Sequence, residues 1–414
     1  MSKYEVIIIG AGLSGLACAR WLTRAGVPCL VLDAADGIGG RVRTDVVEGF
    51  RLDRGFQVLL TAYPELTQHL DLSKLDLRPY YAGAKVWYGG SFVRAADPWR
   101  HPLTGLAGLF SPIGTLADKL RVASLRRRCC KGSLEELFER PEISTLEMLK
   151  QRGFSPAMIE RFFRPLFGGV FLEAELATSS RMFEFVFRMM ATGETATPAL
   201  GMGEIPAQLA ASLPEGTVRL RSPVQRLSGQ SVILPNGEAL TPSRALVIAS
   251  AGPEYSRLLS LNRTVGSRSV ACLYFDCAEV PSAERIIHIN GTTSGVIQNL
   301  AFTSNVSPML APRGRSLAAV TVLGWPKVSD AELQLIVRAQ LIQWFGSVSQ
   351  TWKHLRTYRI HHAQPDPSPA TLSYSTEISP GVFAAGDHFT TPSIDGALRS
   401  GRLAAEAILS KGKA

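Results

Sequence analysis

Cysteine is scarce in this chain, six in 414 residues. Cys18, Cys29, Cys129, Cys130, Cys272 and Cys277 show no metal-ligand spacing, which argues against a zinc module and against a disulfide-stapled scaffold. Cys18 and Cys29 fall in an expected helix and strand and read as core thiols, while adjacent Cys129 and Cys130 are either free thiols or a redox pair. Low-complexity tracts and internal repeats are absent, so neither long disorder nor a solenoid is expected. No apolar run reaches the roughly 20 residues that a bilayer span requires. The uncharged stretch from Pro102 to Ala117 is punctuated by glycine, proline and serine. No signal-peptide pattern precedes the first expected strand, and a cytoplasmic location follows as the expectation. The net charge of +9 leans toward an acidic surface. The basic cluster lacks the interleaved aromatics that stack bases, so nucleic acid is not the expected partner.

What is present is 46% apolar content with 37 glycines and 25 prolines, the composition of a folded chain with many turns. Its length predicts two or three interleaved domains. The clearest signal lies at the start. Tyr4 to Ile9 is an apolar strand, followed by Gly10-Ala11-Gly12-Leu13-Ser14-Gly15 and an alanine-rich amphipathic helix. Gly10 permits a tight turn, Gly12 lets backbone approach a pyrophosphate, and Gly15 lets the helix pack closely on the sheet. Phosphates then sit over the helix N-terminus, where free N–H groups favour negative charge, with Leu13 and Ser14 beside them. A second strand, Pro28 to Leu32, ends in Asp33 and Ala34, about 20 residues on, where a ribose-binding carboxylate belongs. The pattern predicts a Rossmann-type dinucleotide unit in an α/β protein.

The segment after Asp33 reads Ala34-Ala35-Asp36-Gly37-Ile38-Gly39-Gly40-Arg41-Val42-Arg43-Thr44. It resembles the corresponding segment of the flavin-dependent amine oxidase superfamily, which includes amine oxidases, protoporphyrinogen oxidases and carotenoid desaturases. The resemblance implies that Gly39, Gly40 and Arg41 bring amides and a guanidinium to the pyrophosphate of a non-covalent FAD, arginine suiting that task through its planar fork. Where Gly37 stands, the family usually carries a bulkier or basic residue. At the far end, Gly381 to Asp387 and Ser393 to Glu406 resemble the family's C-terminal flavin motif. It implies contacts from Gly386 and Asp387, and a helix start at Asp395, Gly396 and Ala397 aimed at the flavin ring. Arg221 to Leu227 resembles the element whose valine, here Val224, holds the adenine. Ala199 to Pro206 resembles the turn that introduces it, and Asp53 to Gln57 the stretch passing the flavin, which assigns Gly55, Phe56 and Gln57 to the cofactor.

The FAD-binding domain is expected to be discontinuous, built from residues 1–60, 200–255 and 375–414. A mixed-sheet substrate domain would take 61–97 and 256–374, and a helical subdomain, with membrane association as one of its readings, 98–199. Strands are expected at Gly83–Tyr88 and Ser91–Val93 around the Gly89-Gly90 turn, at Ser269–Phe275 and at Ser316–Leu323, with a helix from Asp330 to Phe345.

Beyond Pro102 come Lys119, Arg121, Arg126, Arg127, Arg128 and Lys131. This pairing fits either shallow insertion into an anionic membrane surface (an inner or thylakoid-type membrane) or a buried helix with a solvated basic flank. Phe162, Phe163, Phe167, Phe171, Phe183, Phe185 and Phe187 either line an apolar cavity or pack a core. Amine oxidases usually add a lysine near the flavin, and the strands Ser269–Phe275 and Ser316–Leu323 contain none. The Phe162–Phe171 segment and the tail stand closer to protoporphyrinogen oxidases and carotenoid desaturases. The resemblance thus implies hydride removal from a hydrophobic substrate, a polyene or a tetrapyrrole, to form a double bond. A flavin amine oxidase, a redox-neutral flavin isomerase and a flavin carrier without turnover are the alternatives. Gln57 and His388 are the substrate-side candidates, and no metal site is expected.

Overall fold

The computed structural model describes residues 4–107, 111–366 and 369–411. Six strands form one sheet in the spatial order Val218–Arg219, Cys29–Leu32, Val6–Ile9, Ala245–Ile248, Val382–Ala384 and Glu377–Ser379. The first five run parallel, and the last pairs antiparallel at the edge. Every residue of Val6–Ile9, Cys29–Leu32 and Ala245–Ile248 is buried, which explains their unbroken apolar sequence: both faces of a parallel sheet are covered. The N-terminal helix, Leu13–Arg24, lies against the C-terminal helix, Ile394–Lys411. Their approach depends on a missing side chain. A Cβ at Gly401 would stand 2.2 Å from the Ser14 carbonyl oxygen.

The second large sheet has seven strands, ordered Lys353–Asp366, Gly266–Cys277, Ser316–Leu323, Ile297–Phe302, Ile287–Asn290, Gly83–Tyr88 and Ser91–Ala96. The hairpin around Gly89-Gly90 and the strands containing 269–275 and 316–323 stand where the alternation places them. The helix Asp330–Phe345 covers one face of this sheet, burying Leu333, Val337, Leu341 and Trp344. It starts at a reciprocal cap between Ser329 and Glu332, the arrangement that satisfies two otherwise free helix donors.

Lys353–Asp366 is a 14-residue strand that alternation does not announce. It is an edge strand, half exposed and rich in Lys, Arg and His, as edges that resist further pairing tend to be. Between the two sheets lie helices including Leu116–Cys130, Arg164–Phe171 and Ser180–Thr192. A π-turn at Ile159–Phe163 precedes the second of these; such turns insert one residue and re-aim side chains. Among the described residues no helix is long and apolar enough to cross a membrane. All six cysteines are free.

Candidate functional site

A cavity of about 1350 Å³ is lined by residues of both sheets and of the helices between them. Pockets for one drug-sized ligand measure about 300–1,000 Å³, so this space has room for a cofactor and a substrate together. Its wall divides into two chemistries.

One end is backbone. Gly10, Gly12, Leu13, Ser14, Asp33, Ala34, Gly39, Gly40, Arg41 and Val224 line it. Gly10 has φ +111°, and a Cβ there would lie 2.6 Å from the Ala249 carbonyl, so only glycine fits this turn. Gly12 pairs with Gly39 in a parallel bridge, and a Cβ on Gly12 would meet nothing within 4 Å. The helix that starts after Gly12 has no side-chain cap and no acid in its first turn, leaving its first N–H groups available to an anion. Asp33 accepts from the Ala11 and Ala35 amides at 2.6 and 2.8 Å. Ser250 Oγ lines this end, buried and without a partner.

Residues far apart in sequence close the site. Arg41 donates to Asp387 Oδ1 at 2.6 Å and to the Ala363 carbonyl at 2.9 Å. Gly386 and Asp387 both line the cavity. Gly55, Phe56 and Gln57 line it as well, but the Gln57 amide nitrogen donates to the Arg41 and Arg54 carbonyls. That side chain clasps the arginine turn. The space above Gly37 is filled by the guanidinium of Arg43, 2.8 Å from where a Cβ would stand. Asp53, which fastens the Gly201-Met202-Gly203 turn by accepting from Thr44 Oγ1 and the Met202 amide, is pushed up to about 6 by burial.

Four motif residues do not line this space. Gly15 is spaced for packing alone, since a Cβ there would come 1.9 Å from the Gly10 carbonyl. Asp395 turns inward and accepts the Glu65 amide at 2.9 Å; burial pushes it up to about 6. Gly396 packs on the Thr391 carbonyl, so the C-terminal helix presents Ser393, Ile394 and Ala397 instead. His388 folds back beneath Gly386, against Tyr255 and Phe389, and burial pushes it down to about 4, leaving it a neutral packing residue.

The other end is apolar side chain. Phe162, Phe167, Phe171 and Phe187 line it with Leu166 and Met190. Phe163, Phe183 and Phe185 are fully buried in the adjoining core, so the phenylalanine set serves both roles. Phe162 and Phe163, adjacent within the π-turn, thus divide between the cavity wall and the core. Trp99 and Leu120 line the cavity while 48% and 69% exposed, which marks them as its rim. Half of the basic cluster is tied inward: Arg126 pairs with Asp97, Arg128 with Glu184 and Arg121 with Asp118. The part of the uncharged stretch at 108–110 lies outside the described residues. Asn299, Thr321 and Gln364 line this end, and their Oδ1, Oγ1 and Oε1 atoms are buried without a partner; sequence periodicity gave no sign of them.

The family described as flavin containing amine oxidoreductase matches residues 13–409. Putrescine oxidase from Kocuria rosea is 37% identical over 101 residues, covering 24% of this chain and only 20% of that protein. The structure of an assigned protoporphyrinogen oxidase from Exiguobacterium sp. 255-15 superposes with a TM-score of 0.73 at 19% identity, over 99% of this chain and 100% of the other. A reduced UDP-galactopyranose mutase gives 0.70 at 16% identity, over 99% and 96%. These likenesses establish the α/β fold, and the match along nearly the whole sequence goes further: the chain belongs to the flavin-containing amine oxidoreductase family and is an FAD-dependent oxidoreductase.

Proposed function

We propose that the backbone-lined end holds the dinucleotide part of FAD and that the apolar end receives a hydrophobic substrate, a polyene or a tetrapyrrole. The uncapped helix start, the open face of Gly12 and the orphaned Ser250 Oγ suit a pyrophosphate. On this reading Gly12, Leu13, Ser14, Gly39, Gly40 and Arg41 hold the phosphates, Asp33 and Ala34 the ribose, Val224 the adenine side, and Gly55, Phe56, Gly386, Asp387 and Ala397 the flavin half. When bound, FAD supplies a two-electron acceptor, so a substrate that gives up a hydride and a proton gains a double bond. The protein orients the carbon that loses hydride and excludes water from it.

One observation carries the substrate class: the apolar end offers no carboxylate to an ammonium group. Of the described acids on the cavity wall, Asp97 is paired with Arg100 and Arg126, Asp45 with Arg54 and Tyr358, and Glu254 with Arg257. Asp33 and Asp387 belong to the backbone-lined end. Lys119 is the only lysine among the described lining residues, and it neighbours rim residue Leu120. A diamine of the kind putrescine oxidase is named for would enter uncompensated. The rim also suits delivery from an anionic membrane. Trp99 and Leu120 are exposed there, Leu103 and Leu116 are exposed nearby in sequence, and Arg127 and Lys131 stand exposed on and just beyond the helix that carries Leu120, each cation adding about 1 kcal/mol on anionic lipid.

Anaerobic mixing of the holoprotein with a porphyrinogen, a partly saturated polyene and putrescine tests the reading. Bleaching of flavin absorbance by either of the first two, with a product two hydrogens lighter, is expected. Bleaching by putrescine alone overturns it, and a product of unchanged mass replaces it with the redox-neutral reading that the mutase likeness favours. Co-sedimentation with phosphatidylglycerol but not phosphatidylcholine vesicles checks the rim.

A further inference from the structure

Within the apolar end, two uncharged polar side chains stand side by side. Asn299 and Thr321 are register partners on adjacent antiparallel strands, so their side chains leave the same face of the sheet within contact distance of each other. Both line the cavity. They are 7% and 4% exposed, and neither Asn299 Oδ1 nor Thr321 Oγ1 has a partner. Their surroundings are apolar: Ile289 is the register partner of Asn299 on its other side, and Val170, Val270 and Ile287 share the wall. Gly169 crowds the carboxamide from the helix above, since a Cβ there would come 2.7 Å from Asn299 Nδ2.

Polar atoms buried without a partner are costly and rare, and those at a cavity wall are satisfied by whatever fills the cavity. We infer that Asn299 and Thr321 form a recognition point for a neutral oxygen function, a hydroxyl or a carbonyl, on an otherwise hydrophobic substrate. This rests on the assignment of the apolar end to substrate. Asn299 Oδ1 only accepts while Thr321 Oγ1 both donates and accepts, so a hydroxyl satisfies both atoms and a carbonyl satisfies Thr321 alone. Neither carries charge, so an ammonium group would lose its hydration there without a counter-ion. A pure hydrocarbon would leave both atoms orphaned. The pair therefore fixes where along the apolar end a substrate chain stops, and with it which carbon is presented for oxidation.

The test uses FAD-loaded wild type and the near-isosteric Thr321→Val and Asn299→Leu variants, with 1-decanol, 2-decanone, decane and decylamine as probes and the perturbation of flavin absorbance as readout. The ratio of decanol to decane affinity is expected to fall about tenfold in either variant, with decane binding kept or improved, because only the hydrogen bonds to the probe are removed. An unchanged ratio in both variants overturns the inference, as does tighter binding of decylamine than of decanol by the wild type. The wild-type ranking needs no variant, and retained flavin colour reports that each variant is folded. If decane and decanol bind while the ratio stays flat, the polar pair fails and the apolar end keeps its assignment. If none of the uncharged probes binds, both readings fail.

Discussion

The two ends of the cavity are built on different principles. At the backbone-lined end recognition comes from carbonyl and amide geometry, and the identity of the residues follows from what may not be there: a Cβ at Gly10, a cap at Gly12, an acid in the first helical turn. At the apolar end recognition comes from side chains on helices and strands distant in sequence, and the hydrophobic ones among them could be exchanged for others of like volume. A site made of backbone has little freedom to vary, and one made of side chains has much. The same fold can thus keep its cofactor while its substrate changes.

The sharpest way to break this contrast is to add one side chain to the packing behind the backbone-lined end. Gly15→Val places carbon within bonding range of the Gly10 carbonyl, and a destabilisation above about 4 kcal/mol is expected. Loss of soluble, yellow protein checks it. At the apolar end, neighbours should behave oppositely. Phe163→Ala empties a fully buried site and should cost about 3–5 kcal/mol in urea denaturation. Phe162→Ala, on the cavity wall, should cost far less and instead change affinity for long apolar ligands.

A third experiment probes the seam where the C-terminal helix meets the cavity wall. Burial alone would raise the Glu65 carboxyl, but two hydrogen bonds from Arg402, with the His69 ring 3.4 Å away, outweigh it and hold the group at about 2. A depressed carboxylate contributes stability above its unfolded value, and that contribution is lost as pH falls from about 4.5 through about 2. The shift corresponds to about 3 kcal/mol, so Glu65→Gln should lower the urea midpoint at pH 7 and flatten the acid limb. An unchanged limb would assign acid sensitivity to other groups. Smallest is Arg41→Ala, which removes one charge-assisted contact worth about 1.5–3 kcal/mol. FAD should dissociate tenfold more readily or worse by equilibrium dialysis, with the unfolding midpoint of the apoprotein little altered.

Legibility in the sequence followed the same division. The nucleotide strands, the paired glycines and the Asp387 loop could be read because each position admits few residue types, and the hairpin at Gly89-Gly90 and the helix Asp330–Phe345 because their periodicity is regular. Gly15 packs the helix as its position predicts, while Asp395, Gly396 and His388 lie within the right motifs and packing turns them away from the cavity. A linear pattern marks proximity to a ligand and says nothing of side-chain direction. The strand Lys353–Asp366 escaped because an edge needs no apolar alternation, and the separation of Phe162 from Phe163 escaped because two adjacent phenylalanines do not tell which one faces the core. The pairing of Asn299 with Thr321 is a property of register, which one strand read alone does not contain.

The bond between Arg41 and Asp387 joins positions 346 apart, which sets an order on biosynthesis. A nascent polypeptide exposes its glycine-rich turn to solvent early, yet the clamp that would retain a coenzyme does not exist until Asp387 has cleared the ribosome. Capture is thereby postponed until Asp387 has emerged, and products truncated before that point should be released empty and open to proteolysis.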